Sequence, residues 1–191
     1  DMGLEPAFFE HHLGPGGGGS EKTGSPVILD QDGGEPFPVR GVVDRIDLAG
    51  DGRFAIIDYK VRNTLPPAKS IREGAAFQLP LYLLALERSG GGTGMNLTAV
   101  GASYYQVSNT VRMTWPLLDR DEALTLGIRT RPTGGDFRTV LFDVLNAARD
   151  VARTIREGSF PIPAGKCPDK YCRYRPICRF DRYRVVEGGT M

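Results

Sequence analysis

The sequence predicts an α/β domain followed by a short, basic, cysteine-bearing tail. Three observations carry that prediction. Two apolar runs, "RGVVDRIDL" and "RFAIIDYKV", flank the turn signal "AGDG", which reads as a β-hairpin. The segment "DFRTVLFDVLNAARDVARTIREG" repeats apolar residues at helical spacing. The chain closes on "CPDKYCRYRPICRF", which holds all three of its cysteines. A length of 191 residues suits one domain plus a small appendage, divided here into a core over 1–160 and a tail over 161–191.

The elements follow in order. "PAFFEHHLG" reads as a first strand. "GPGGGGSEKTGS", Gly14 to Ser25, is a flexible loop by composition and resembles a linker. "VILDQDGGEPFPV" carries a turn signal, Asp32-Gly33-Gly34, between two short candidate strands. The hairpin comes next, turning at Asp51-Gly52. "AKSIREGAAFQLPLYLLALERSG" reads as a helix ending at Gly90. Pro80 is tolerable there if the helix proper starts near Ala76, where the ring displaces no carbonyl partner. Gln78 and Tyr82 then lie one turn apart on one face. "LTAVGASYYQV" and "VRMTWPL" are two further strands. In the last helix Val140, Val144, Leu145, Ala148, Val151, Ala152 and Ile155 form the apolar stripe, which ends at Gly158.

A hydrophobic content of 40% and a charged content of 25% exclude a disordered or fibrous chain. No apolar run approaches the ~20 residues of a membrane helix, and the opening "DMGLEPAFFE" lacks the pattern of a signal peptide. The expectation is a cytoplasmic protein with no membrane partner. The opening also reads as the middle of something larger. Net charge is only +1, but Val151 to Arg184 holds nine basic residues against three acidic ones. That local field attracts phosphates, although a solvated helix face plus tail would look the same.

The hairpin poses a chemical question. Asp44 and Asp58 sit among apolar neighbours, where a carboxylate is costly unless a cation meets it. Antiparallel pairing brings them close, and two converging carboxylates repel. A divalent cation resolves the conflict, and Mg²⁺ favours one or two carboxylates with sites left for water and phosphate. Asp58 and Lys60, two apart on a strand, point to the same face. Lys60 can then orient or deprotonate an attacking water, or neutralise a phosphate. Taken singly, D-x-K is more often a surface pair, and D-R-x-D more often a salt bridge with its own arginine.

The pattern has more parts. "GVVDRID", then "AIIDYKV", then "QLPLY", then "CPDKYCRYRPICR" resembles the RecB/AddB-type branch of the PD-(D/E)XK nuclease superfamily. The motifs G-x-x-D, apolar-D-Y-K, Q-x-x-x-Y and a cysteine cluster ending C-R run in that order from about Gly41 to Arg179. The resemblance implies a restriction-endonuclease-like core: a mixed central sheet with an active-site hairpin, flanked by helices. It implies Asp44, Asp58 and the backbone carbonyl of Tyr59 as ligands for Mg²⁺ or Mn²⁺, and Lys60 as the catalytic lysine. It places Gln78 beside the active site and Tyr82 packed or hydrogen-bonded near it. It implies a metal-dependent deoxyribonuclease acting in DNA repair or recombination, exonuclease-type ahead of endonuclease, with a helicase domain or subunit as partner. Arg45, on the alternate face of its strand, receives no chemistry.

Two departures stand beside the resemblance. The family's upstream helix with a metal-binding His or Glu is not found in this chain. Glu10, His11 and His12 are the candidate substitutes, with at most one of the adjacent histidines facing the metal, and ordinary surface or core histidines are the preferred reading. Cys167, Cys172 and Cys178 form C-x4-C-x5-C, where the family has C-x2-C-x5-C plus an upstream cysteine on an iron–sulfur cluster. Three cysteines complete neither a structural zinc site nor a [4Fe-4S] cluster, so the fourth ligand of a cluster would lie outside this chain. Zinc or an empty relic remains open. So do two other functions: an inactive nuclease-fold module that holds DNA or a cluster, and a small metal-stabilised structural domain.

Overall fold

A computed structural model describes residues 3–14, 25–30, 33–61, 65–107, 111–125 and 136–159. The body of the glycine-rich loop and all three cysteines lie outside the described residues. The chain falls into two compact units, Asp1–Asp150 and Val151–Met191. Every strand among the described residues belongs to the first.

A five-stranded mixed sheet organises that unit. Its strands are β1 (Glu5–His12), β4 (Val42–Leu48), β5 (Arg53–Lys60), β6 (Thr98–Gln106) and β7 (Arg112–Leu118), and they lie side by side in that order. Neighbours pair antiparallel except β5 and β6, which run parallel. A parallel pair needs a crossover connection, and here it is helical: α1 (Ala68–Arg72), α2 (Gln78–Ser89) and a 3₁₀ turn at Gly90–Gly92. Short strands β2 (Val27–Leu29) and β3 (Phe37–Val39) form a separate antiparallel ribbon. The predicted strands and the hairpin are all present.

The predicted helix over "AKSIREGAAFQLPLYLLALERSG" is two helices. The break falls at Gly74, whose φ of 63° no continuing helix adopts. A Cβ there would also collide with the Ala147 methyl. Pro80 occupies the third position of α2, where its missing N–H costs no intrahelical bond. A third helix, α3 (Arg120–Thr125), is short, and the Asp119 carboxylate caps it by accepting from the Asp121 and Glu122 N–H groups. The last helix, α4, runs Phe137–Arg156. Its apolar stripe is buried through Ala148, whereas Val151 and Ile155 are exposed.

The main core lies on one face of the sheet. Ile46, Phe54, Ile56, Ala102 and Tyr104 meet Ile71 of α1, Leu79, Leu83 and Leu86 of α2, and Leu141, Val144 and Leu145 of α4. Glu87 ties three elements by accepting from the Ala99 N–H at 2.6 Å and pairing with Arg138 at 2.6 Å. Buried Arg149 donates to the Leu29 carbonyl at 3.2 Å, which holds the β2–β3 ribbon to α4. The outer strands of the sheet each contain a proline, Pro6 in β1 and Pro116 in β7, and each pairing has an irregularity beside it. Pro is tolerated in a sheet at such positions.

Candidate active site

The β4–β5 register sets the site. Ile46 faces Ile56 and Leu48 faces Phe54, so even-numbered residues of both strands share the core face. Asp44 and Asp58 continue that face by one more step. The paired register ends at Arg45 and Ile57. Beyond it the Asp44 carboxylate takes the place of a backbone acceptor, with Oδ2 accepting from the Tyr59 N–H at 2.8 Å. The sheet's opening between β4 and β5 is therefore closed by one of the two acids.

Asp58 is only 6% exposed. Gln78, at the first position of α2, donates to its Oδ1 at 3.0 Å. Lys60 Nζ lies 2.6 Å from Oδ2. That ion pair is the one contact that Oδ2 makes among the described residues. Burial pushes the Asp58 carboxyl above its usual range, against the pull of Lys60, and the charge of Asp44 adds to the rise. The two carboxylates thus feel one another, as their shared face requires.

Arg45 belongs to the other face. Its guanidinium forks onto Asp47, at 2.6 and 2.7 Å, and that pairing raises its pKa further. The arginine of D-R-x-D serves Asp47 and leaves Asp44 to the site. Asp51 pairs with Arg53 at 2.8 Å in the turn. These arginines answer for the two hairpin acids that the site does not use.

Tyr82 stands one turn after Gln78. Burial and the charge of Asp58 raise its phenol's pKa, against contacts with Gln78 and the Val42 N–H. Its ring and hydroxyl fill the space that a side chain at Gly41 would need. The glycine of G-x-x-D and the tyrosine of Q-x-x-x-Y are two sides of one contact.

Sequence reasoning missed Tyr104. It lies beside Asp58 in the parallel β5–β6 pairing and is 3% exposed. Lys60 Nζ sits 5.8 Å from its ring centroid. Burial and Asp58 push its phenol up to about 12. The signal was a Tyr-Tyr pair in a strand, which reads as ordinary core without the β5–β6 register.

The candidate third ligands separate. His11 pairs with Val43, is buried, and packs on Phe8 with ring centroids 5.3 Å apart. Val43 points away from Asp44 by strand alternation, so His11 is a core histidine. His12 pairs with Val42 and is half-buried. Glu10 is exposed and has a φ of 49°. Among the described residues no group of three His, Cys, Asp or Glu side chains converges.

The donor set at Asp44 and Asp58 fits a hard divalent cation. It offers carboxylate oxygens alone, those of Asp58 buried, and Mg²⁺ is held by one or two carboxylates. Lys60 stands beside it to meet an anion.

Comparison with known proteins bears on the fold and the family. The model of the PD-(D/E)XK nuclease superfamily matches residues 3–179. The chain belongs to that superfamily. It is also similar to three streptococcal proteins, each named as a subunit of an ATP-dependent helicase/deoxyribonuclease. That of Streptococcus equi subsp. zooepidemicus (strain MGCS10565) is 43% identical over 54 residues, 28% of this chain and 5% of the relative. That of Streptococcus uberis (strain ATCC BAA-854 / 0140J) is 35% identical over 75 residues, 39% of this chain and 7% of the relative. That of Streptococcus pneumoniae (strain ATCC BAA-255 / R6) is 34% identical over 87 residues, 45% of this chain and 8% of the relative. The matched stretch is thus a small part of these relatives' length. The mixed sheet flanked by helices is the restriction-endonuclease-like fold of the superfamily. No helix among the described residues is long and apolar enough to cross a membrane.

Proposed function

We propose that this chain is the nuclease domain of a DNA-processing helicase–nuclease, cutting phosphodiester bonds with Mg²⁺ or Mn²⁺. The observation that carries the reading is the buried Asp58 carboxylate with the Lys60 ammonium 2.6 Å from its Oδ2 and the Asp44 charge beside it on one face. Asp44, Asp58 and the Tyr59 carbonyl would hold the cation. A cation so held polarises a phosphoryl oxygen and lowers the pKa of bound water.

The chain's own residues do the rest. The Tyr59 N–H fixes Asp44 by one oxygen, and Gln78 fixes Asp58 by the other end of its carboxylate. Lys60 leaves its ion pair to meet the phosphate or the attacking water. Its ammonium stabilises the charge that develops on the phosphate oxygens. The relatives' names support DNA as substrate and a helicase as partner. An exonuclease-type cut is the preferred form. Cys167, Cys172 and Cys178 join a further cysteine on an iron–sulfur cluster in the intact protein.

The test uses the full-length protein on end-labelled linear and circular DNA. Mg²⁺ or Mn²⁺ should support cleavage of the linear form, and chelation should stop it. Lys60→Ala and Asp58→Ala should each lower cleavage by about 10²–10⁴-fold. DNA binding should persist, because affinity is a phosphate-neutralising contribution spread over many basic residues. Cleavage by Lys60→Ala at the wild-type rate would remove this lysine from the chemistry.

A second reading, a DNA-holding module without catalysis, draws on one observation. No third acid or imidazole joins Asp44 and Asp58 among the described residues. Binding without metal-dependent cleavage by the wild type would select it.

A further inference from the structure

We infer that Tyr104 is a positioning residue for Lys60: its ring face holds the ammonium over the site when Asp58 is committed elsewhere. The inference rests on the nuclease reading above and deepens it.

Lys60 is a flexible side chain with two described attachments. One is Asp58, the only carboxylate that it pairs with among the described residues, at 2.6 Å. The other is the Tyr104 ring, with Nζ 5.8 Å from the centroid. That is within the range at which a cation is drawn to an aromatic face. In the proposed reaction Asp58 must give its oxygens to the cation, and the ion pair with Lys60 is lost or weakened. A lysine released in this way regains its rotamer freedom, and a wandering ammonium is poorly placed for an anion. The ring is the contact that remains.

The fold makes the ring a fixed support. Tyr104 lies in the middle of the sheet, level with Asp58 in the β5–β6 pairing, while Lys60 is level with Gln106. It belongs to the buried core cluster that includes Ala102 and residues of α2 and α4, and it is 3% exposed. Lys60, by contrast, keeps about a third of its side chain in solvent. An immobile π face beneath a mobile cation sets where the cation rests without neutralising it. A second carboxylate in that place would pair with the ammonium and compete with the phosphate.

The experiment compares wild type, Tyr104→Phe and Tyr104→Met in the full-length protein by steady-state cleavage of linear DNA with Mg²⁺. Phe keeps the ring, and Met fills much of the space without one. Tyr104→Phe should stay within about twofold of wild type. Tyr104→Met should lose about tenfold in kcat with KM for DNA unchanged, the scale of one partly desolvated cation–π contact. Adding Tyr104→Met to Lys60→Met should cost nothing further, because the ring acts through the lysine. If Tyr104→Met lowers the melting temperature, Tyr104→Leu and single-turnover rates normalised to DNA-bound protein keep the comparison at constant folded protein. Wild-type kcat in both ringless variants would overturn the inference, as would a Tyr104→Phe as impaired as Tyr104→Met. A wild type that cleaves with neither Mg²⁺ nor Mn²⁺ would overturn the nuclease reading itself, a result distinct from both.

Discussion

The Tyr82 hydroxyl occupies the place that a side chain at Gly41 would take. The backbone of Gly41 is not left-handed, so the glycine answers a demand for space. Tyr82 presses α2 against the start of β4, and one turn earlier Gln78 reaches Asp58. Gly41→Ala should therefore overpack the contact and destabilise the protein by about 1–3 kcal/mol. Tyr82→Leu should relieve it, so that the double variant costs less than the sum of the two single ones. Thermal unfolding of the four proteins measures this. Additive losses would mean that the two residues do not share the contact in solution.

Gln78 contributes orientation. Its amide holds one Asp58 oxygen at 3.0 Å, which leaves the other turned toward Lys60. Groups that orient a ligand typically cost 10–100-fold in metal affinity or activity when removed. Gln78→Ala should accordingly need about tenfold more Mg²⁺ for half-maximal cleavage, while Gln78→Glu should fail by placing a like charge on Asp58. A magnesium titration of cleavage by both variants tests this, and an unchanged magnesium requirement in Gln78→Ala would remove the orienting role.

His11 makes stability depend on pH. Burial, with His12 adding to it, holds the imidazole below its ordinary value of 6.5 in the fold. The unfolded chain takes up a proton near about 6.5 that the folded chain refuses. Stability is full above that value and falls as the pH drops below it. His11→Leu should flatten this dependence between about pH 7.5 and 5.5 in thermal unfolding. An equal decline in wild type and variant would assign the effect to other groups.

The cysteines make a prediction about composition. Iron and inorganic sulfide should copurify with the anaerobically prepared full-length protein. Substituting Cys167, Cys172 or Cys178 should lower stability without changing the Mg²⁺ requirement, since the two ligand sets are distinct. Stoichiometric zinc with no iron would replace the cluster by a zinc staple.

Much of this architecture was legible because it is local. Asp51-Gly52 announces a two-strand unit whose period places Asp44 with Asp58 and Asp58 with Lys60, and the structure has that arrangement. The α4 stripe was legible for the same reason as far as Ala148, whereas Val151 and Ile155, read as its continuation, are exposed. What stayed hidden depends on residues far apart in the chain. Gly74 ends α1 where Ala147 comes close, a fact with no trace in the helical spacing around it. Tyr104 meets Lys60 only because β5 and β6 run parallel in one particular register. Glu87 and Arg149 look like solvated helix residues until their partners, the Ala99 N–H and the Leu29 carbonyl, are known. The short α3 was missed although Asp119 caps it, since one turn and a half carries too little periodicity to stand out.

The prolines of the two outer strands decide how such a domain can live in company. An open sheet margin invites another chain to zip onto it, which is the first step toward aggregation. Pro6 and Pro116 each withhold a backbone donor on the marginal strands, and the irregular pairing beside them bends the margin out of register. Ribbon-by-ribbon growth is thereby blunted on both sides. Strand-to-strand docking of a second copy is the encounter that these two prolines disfavour.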